Sequence, residues 1–431
     1  MPNNKSKERN PWFWIPSLYL AEGLPYVVVM TVSVIMYKRL EISNTEIALY
    51  TSWLYLPWVI KPFWSPVVDL LKTKRFWIVV MQFFIGAGLA GVALTLPTEN
   101  FFKYTLAFFW LMAFSSATHD IAADGFYMLG LKEHEQAFFV GIRATFYRIA
   151  FIAGQGLLVI LAGQIEVTSG DIPYAWMITF FILAGMFILF FTYHLFVLPY
   201  PKSDLKRSEV QLKKFFNEFV RTFASFFKKK EILLILLFVL FYRFAEAQLV
   251  KMASPFLLDE KDVGGLALTT SQVGLVYGTV GVIALSLGGI LGGIAAARNG
   301  LKFWIWWMLI AINLPNVVYV YLAITQTSNF LLINISVAIE QFGYGFGFTA
   351  FMLYLIYISE GEFKTAHYAI ATGFMALGMM LPGMISGWIQ EQLGYQNFFI
   401  WICISTIPAF IITKLINIDP LFGKKISQNN E

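Results

Sequence analysis

The chain has 431 residues, of which 58% are hydrophobic, 18% aromatic and only 13% charged, with a formal net charge of +5. Soluble domains carry roughly 25% charged residues, so the composition excludes a water-soluble globular protein. The single Cys403 excludes an internal disulfide.

A hydrocarbon core about 30 Å thick takes ~20 apolar residues per helix, and such stretches recur from end to end. Pro2 to Asn10 is a polar tail, and the apolar span after it runs on without an Ala-x-Ala cleavage site. Twelve spans are predicted, at 12–36, 46–67, 76–97, 101–128, 137–163, 174–198, 231–258, 271–297, 303–325, 329–358, 365–390 and 396–417. They divide the chain into a cytoplasmic tail (1–11), a six-helix bundle (12–198), a linker (199–230), a second six-helix bundle (231–417) and a second tail (418–431). In the linker, Leu212, Phe215, Phe216, Phe219, Phe223, Phe226 and Phe227 recur at helical spacing among Lys and Arg, the pattern of an amphipathic helix on the inner membrane surface. Lys and Arg crowd the tails, the linker and the loops at 72–75, 132, 298–302 and 364, while the opposite loops hold only Lys38, Arg39, Lys103 and Lys261. That bias places both termini in the cytoplasm. It also accounts for the positive charge, so no nucleic-acid partner is expected.

The two halves read as repeats. Leu18-Tyr-Leu-Ala21-Glu22 in the first span resembles Tyr242-Arg-Phe-Ala245-Glu246 in the seventh. The loop from Trp64 through Asp69 and Arg75 to Trp77 matches the one from Leu291 through Lys302 to Trp304 in length, basic end and closing Phe-Trp. Six plus six parallel repeats point to the major facilitator architecture, an all-α integral membrane fold. The first loop resembles that superfamily's signature, an acid (Asp69) followed by a basic cluster (Lys72, Lys74, Arg75). Pro66 stands where the motif starts with Gly, and the second copy has Ala296 in place of the acid.

Longer motifs follow the chain: Glu22-Gly-Leu-Pro25, Lys61-Pro-Phe-Trp-Ser-Pro66-Val-Val-Asp69, Phe114-Ser-Ser-Ala-Thr-His-Asp120-Ile-Ala-Ala-Asp124, Tyr147-Arg148, Glu340-Gln-Phe-Gly343-Tyr-Gly345, Thr365-Ala-His-Tyr-Ala369 and Pro382-Gly-Met-Ile-Ser-Gly387-Trp388. Together they resemble one branch of the superfamily, the muropeptide permeases of the AmpG type and the related acetyl-CoA transporters. The resemblance implies a monomeric permease of the bacterial inner membrane that imports wall-derived amino-sugar peptides on the proton gradient.

The charges inside the spans carry the mechanistic reading. An ionised carboxylate is costly in hydrocarbon unless it faces a partner or a watery cavity, and Asp120 and Asp124, four residues apart, share one helix face. A rise of 1.5 Å per residue puts Glu22 and Arg148 about 15 Å deep, with Glu340 at a similar level from the other side. Asp120, Asp124, Arg148, Glu22 and Glu340 are therefore the proton or charge-pair candidates, with Asp120–Arg148 the expected pair. Arg143, Arg148, Tyr147, Tyr26 and Gln341 are the substrate-contact candidates: cations for carboxylates, aromatic faces for sugar rings. Asp69, Lys72, Lys74 and Arg75 are expected to gate the cytoplasmic side, with Lys61 a packing element there. Arg243 and Glu246 are spaced for a local bridge, and snorkelling outward is one of two readings for Lys251.

No metal or cofactor is expected, since His119, His134, His194 and His367 are scattered along the sequence. The same scatter argues against an intramembrane hydrolase, and tails of about ten residues argue against a receptor. Cargo is left between amino-sugar solutes and another organic solute such as acetyl-CoA or a nutrient sugar.

Overall fold

The protein is described by a computed structural model covering residues 9–201, 204 and 220–424, which are helical and contain no strand. We label the spans α1 (Pro11–Arg39), α2 (Asn44–Trp53 with Leu56–Leu71), α3 (Lys74–Thr95), α4 (Phe101–Gly130), α5 (His134–Ser169), α6 (Ile172–Val197), α7 (Ile232–Leu258), α8 (Thr270–Asn299), α9 (Leu301–Thr325), α10 (Phe330–Ser359), α11 (364–393) and α12 (395–415). All twelve predicted spans fall on these helices. Nine described stretches are long and apolar enough to cross a membrane, and the 52-residue Lys364–Leu415 contains both α11 and α12, separated at Gly394. The other two spans are α2, interrupted at Leu54–Tyr55, and α4, which carries His119, Asp120 and Asp124.

In hydrocarbon the backbone must satisfy its own hydrogen bonds, and polar caps serve where helices start in the loops. Ser43, Thr73, Asp171 and Asn329 each accept a first-turn N–H, from Glu46, Phe76, Tyr174 and Leu332. The regular bonding is relaxed over Val28–Val32 in α1, Ile152–Leu158 in α5 and Gly274–Gly281 in α8, which adopt π geometry, a form often found at functional positions.

The contacts divide the chain into two compact units. One comprises Met1–Leu40 with Ile60–Phe219, and the other Glu41–Val59 with Val220–Glu431. In the first, α3 packs on α4 and α6, and α1 on α5 and α4. In the second, α8 and α9 flank α10, and α7 and the first part of α2 pack on α11. Of the predicted linker helix, Leu212, Phe215, Phe216 and Phe219 lie outside the described residues. Phe226 is buried, stacked on Phe374 and edge-on to His367.

The glycine triplet of α10 serves close packing. A Cβ at Gly345 would stand 2.0 Å from the Leu285 carbonyl oxygen of α8, while Gly343 and Gly347 abut carbonyls of Ala311 and Met308 on α9. Small residues let membrane helices approach this closely. Gly345→Ala must push α10 off α8 and is expected to lose about 1–3 kcal/mol of stability, read as a lowered thermal midpoint of the purified protein in detergent; an unchanged midpoint would contradict this packing.

Candidate functional site: buried charges in each unit

In the first unit, α1, α2, α4 and α5 converge on a cluster of charges. Lys61 of α2 pairs with Asp120 at 3.0 Å, and Arg143 of α5 pairs with Asp124 at 3.0 Å. The paired side chains keep a fifth to nearly half of their surface exposed, so they line accessible space. The Arg143 guanidinium also lies over the rings of Tyr19 and Tyr127, at 4.7 and 5.1 Å. Glu22 of α1 is buried within the electrostatic reach of Asp120, Asp124 and Arg143, and its Oε2 has no hydrogen-bond partner. Gly23 allows this placement, because a Cβ there would meet Ala150 Cβ at 2.7 Å and the Tyr147 carbonyl oxygen at 3.1 Å on α5. Tyr147 and Tyr26 both pack on Phe151 beside the cluster.

The expected Asp120–Arg148 pair does not form. Arg148 is exposed and makes no ion pair with a described carboxylate. Arg143 and Arg148 are five residues apart, about 140° around a helix, so they cannot both face α4, and α5 turns Arg143 inward. Lys61, read from sequence as a packing element, takes Asp120.

Two of the histidines that look scattered in sequence, His119 and His194, meet through one glutamine. Gln82 of α3 accepts at Oε1 from His194 Nδ1 of α6 (2.9 Å) and donates from Nε2 to His119 Nε2 of α4 (3.0 Å), while Ser17 of α1 lies 2.9 Å from His194 Nε2. Gln82, His119 and His194 are fully buried. The glutamine's polarity makes His194 Nδ1 a donor and His119 Nε2 an acceptor, so the His119 ring is neutral and protonated on Nδ1.

The basic cluster after α2 is engaged inside the first unit. The Arg75 guanidinium donates to the carbonyls of Leu195 and Leu198 at the end of α6 and stacks 4.0 Å from the Tyr200 ring. Asp204 accepts from the backbone N–H groups of Lys74 and Arg75, at 2.8 and 3.1 Å. Lys74 packs its stem against Gly125, and Lys72 sits 5.5 Å from the Phe76 ring. The Asp69 side chain lies outside the described residues.

The second unit has its own buried acids. Glu340 of α10 accepts from Gln341 Nε2 (3.0 Å) and from Tyr319 OH of α9 (3.4 Å). Glu246 of α7 is 1% exposed and neither carboxylate oxygen has a hydrogen-bond partner. Its expected bridge to Arg243 is absent. α7 breaks at Tyr242–Arg243, where Arg243 has the non-helical φ −112, ψ 18, and the guanidinium instead donates to Tyr344 OH over the rings of Tyr344 and Phe348. Lys251 does not snorkel: it is 2% exposed, with Nζ donating to Thr51 Oγ1 at 2.9 Å.

Replacing Gln82 with Leu removes an acceptor from His194 and a donor from His119. Each buried group left unsatisfied costs about 1–3 kcal/mol, so Gln82→Leu is expected to destabilise by several times the loss from a substitution on a lipid-facing position. Thermal unfolding in detergent measures it, and a neutral result would disprove the relay.

Residues 17–361 match the family profile described as Major Facilitator Superfamily. Curated relatives include "Putative transporter AmpG 4" of Rickettsia conorii, 25% identical over 422 residues that cover 94% of this chain and 96% of the relative. The anhydromuropeptide permease of Escherichia coli K12 is 24% identical, over 82% of this chain and 69% of its own length. Among solved structures, the nucleoside transporter NupG superposes with a TM-score of 0.70 at 17% identity, covering 94% of this chain and 98% of that one. A D-xylose–proton symporter gives 0.67 at 13% identity, over 96% and 99%. Such distant structural likenesses speak for the fold alone.

Proposed function

The chain belongs to the Major Facilitator Superfamily and is a multi-pass membrane transporter, not an enzyme; on that premise we propose that it imports amino-sugar solutes of the muropeptide kind by alternating access, coupled to protons. The observation that carries the coupling is a charge count. Glu22, Asp120 and Asp124 face two cations, Lys61 and Arg143. Fully ionised, the cluster carries a net charge of −1 within the spans, where an unanswered charge is costly; one bound proton makes it neutral. A carrier whose charged cluster is neutral only when protonated moves that proton with each cycle in which the cluster changes sides.

The cargo reading rests on the curated relatives and on chemistry. Arg148, an intramembrane cation with no described carboxylate partner, suits a substrate carboxylate, and Tyr26 and Tyr147 offer aromatic faces for a sugar ring. Within the second unit, Glu340 with Gln341 offers hydrogen-bonding groups of its own. The same reading places the protein in a bacterial inner membrane with both termini cytoplasmic, acting as a monomer. Asp69 closes the cytoplasmic side, on a scaffold that Lys72, Lys74 and Arg75 hold in place.

The decisive experiment is counter-flow of labelled anhydro-muropeptide in proteoliposomes. Exchange supports the cargo; exchange of acetyl-CoA or a simple sugar instead would transfer the assignment to that solute and leave the fold untouched. For coupling, Glu22→Gln and Asp120→Asn are expected to insert normally but to lose accumulation driven by an inward proton gradient, and Glu22→Gln should retain equilibrium exchange. Normal accumulation by either variant removes that residue from the coupling step. The pairing has its own test: Lys61→Asp alone should cripple uptake, and combination with Asp120→Lys should restore part of it, whereas no rescue would leave the pair without functional meaning.

A further inference from the structure

We propose that Lys251, with the hydroxyls of Ser52 and Ser254, forms a carboxylate-binding site in the C-terminal half of α7. All three residues belong to the second unit, since Glu41–Val59 clusters with it.

The geometry is rich in donors and poor in acceptors. Lys251 is 2% exposed, and no charged group acts on it among the described residues. Its one hydrogen bond goes to the neutral Thr51 hydroxyl, which itself donates to the Ile47 carbonyl oxygen at 2.6 Å. The ring of Tyr55 lies 5.4 Å from Nζ. An ammonium has three protons to place, and this one places a single proton on an oxygen.

The two serines break a local rule. Buried hydroxyls in these helices ordinarily return to a carbonyl one turn back, as Ser33 does to Val29, Ser386 to Gly383 and Thr413 to Ala409. Ser52 and Ser254 are 0% and 1% exposed, yet neither hydroxyl has a partner. Ser52 and the lysine stem converge on Gly383 of α11, where a Cβ would lie 2.7 Å from Ser52 Oγ and 3.4 Å from Lys251 Cγ. Ser254 follows Lys251 by three residues, on the same helix face.

One positive charge with two hydroxyl donors matches the single charge and two oxygens of a carboxylate. A phosphate monoester, at about −1.5 to −2, would keep part of its charge uncompensated. Lys61 shows the contrast within this chain: an intramembrane lysine that already has its carboxylate in Asp120. With Ser52 and Lys251 closed from solvent here, an entering carboxylate displaces Thr51 as the partner of Nζ. The proposal deepens the transport reading above, on which it rests for the cargo, by naming the residues that hold a cargo carboxyl group.

The test measures binding by the purified full-length carrier. The probes are an anhydro-muramyl peptide and its methyl ester, the smaller pair N-acetyl-alanine and N-acetyl-alaninamide, and inorganic phosphate. The wild type is expected to prefer the acid form by about tenfold or more, the range of a hydrogen bond to a charged group. Lys251→Met should lose that preference while its thermal midpoint stays unchanged or rises, because an unpaired buried ammonium has given way to an apolar chain. Ser52→Ala and Ser254→Ala should each lose part of the preference, and they decide the matter if Lys251→Met fails to fold. Preference retained in Lys251→Met, or in both serine variants should that protein not fold, overturns the site. A lysine-dependent response to phosphate but not to the carboxylates overturns the ligand class. If neither muramyl probe binds, the cargo reading falls, and the small acid–amide pair still decides the site.

Discussion

Everything distinctive in this chain follows from the cost of holding charge in hydrocarbon. A lipid-facing helix has no use for Asp, Glu, Lys or Arg, so each one inside a span must be answered by a neighbour, by water or by cargo. In the first unit the answers come in pairs, Lys61 with Asp120 and Arg143 with Asp124, and Glu22 is the acid left over. The helix arrangement serves that pairing. α4 presents both aspartates on one face, α2 and α5 each deliver one cation, and Gly23 brings α1 close enough for Glu22 to join them.

Behind the charges lies a second layer joined by hydrogen bonds. Gln82 binds His119 and His194 together, and His119 precedes Asp120 in α4. The relay touches α1, α3, α4 and α6, so these helices share a polar core able to fix the position of Asp120 without adding charge beside it. Such networks are worth having only when satisfied throughout. This one comes close: His119 Nδ1 is its one ring nitrogen without a partner.

The sequence made the class, the twelve spans and the repeats legible, because hydropathy and length are local properties. It also singled out Glu22, Asp120, Asp124 and Glu340, which lie buried or in ion pairs, since a carboxylate in an apolar helix is conspicuous by itself. Partners were another matter. The choice between Arg143 and Arg148 depends on the rotation of α5 about its axis, and neighbouring spans in sequence do not determine that angle. The Arg243–Glu246 spacing suggested a bridge only under the assumption of an unbroken helix, and α7 breaks there. The Gln82 relay was invisible because its members sit 37 and 112 residues apart, and a buried glutamine leaves no periodic signal.

The acids of the two units sit among different groups. Glu22 and Glu246 occupy matching places in their motifs, and both are buried, with Oε2 of Glu22 and both carboxylate oxygens of Glu246 lacking a hydrogen-bond partner. Around Glu22 the neighbours are ion pairs. Around Glu340, the acid within electrostatic reach of Glu246, Tyr319 and Gln341 donate hydrogen bonds without charge. With two cations beside three acids, one bound proton leaves the first cluster neutral, whereas the phenol and amide beside Glu340 add no charge of their own. The two units thus hold their buried acids in different surroundings, ion pairs in the first and uncharged hydrogen-bond donors at Glu340 in the second.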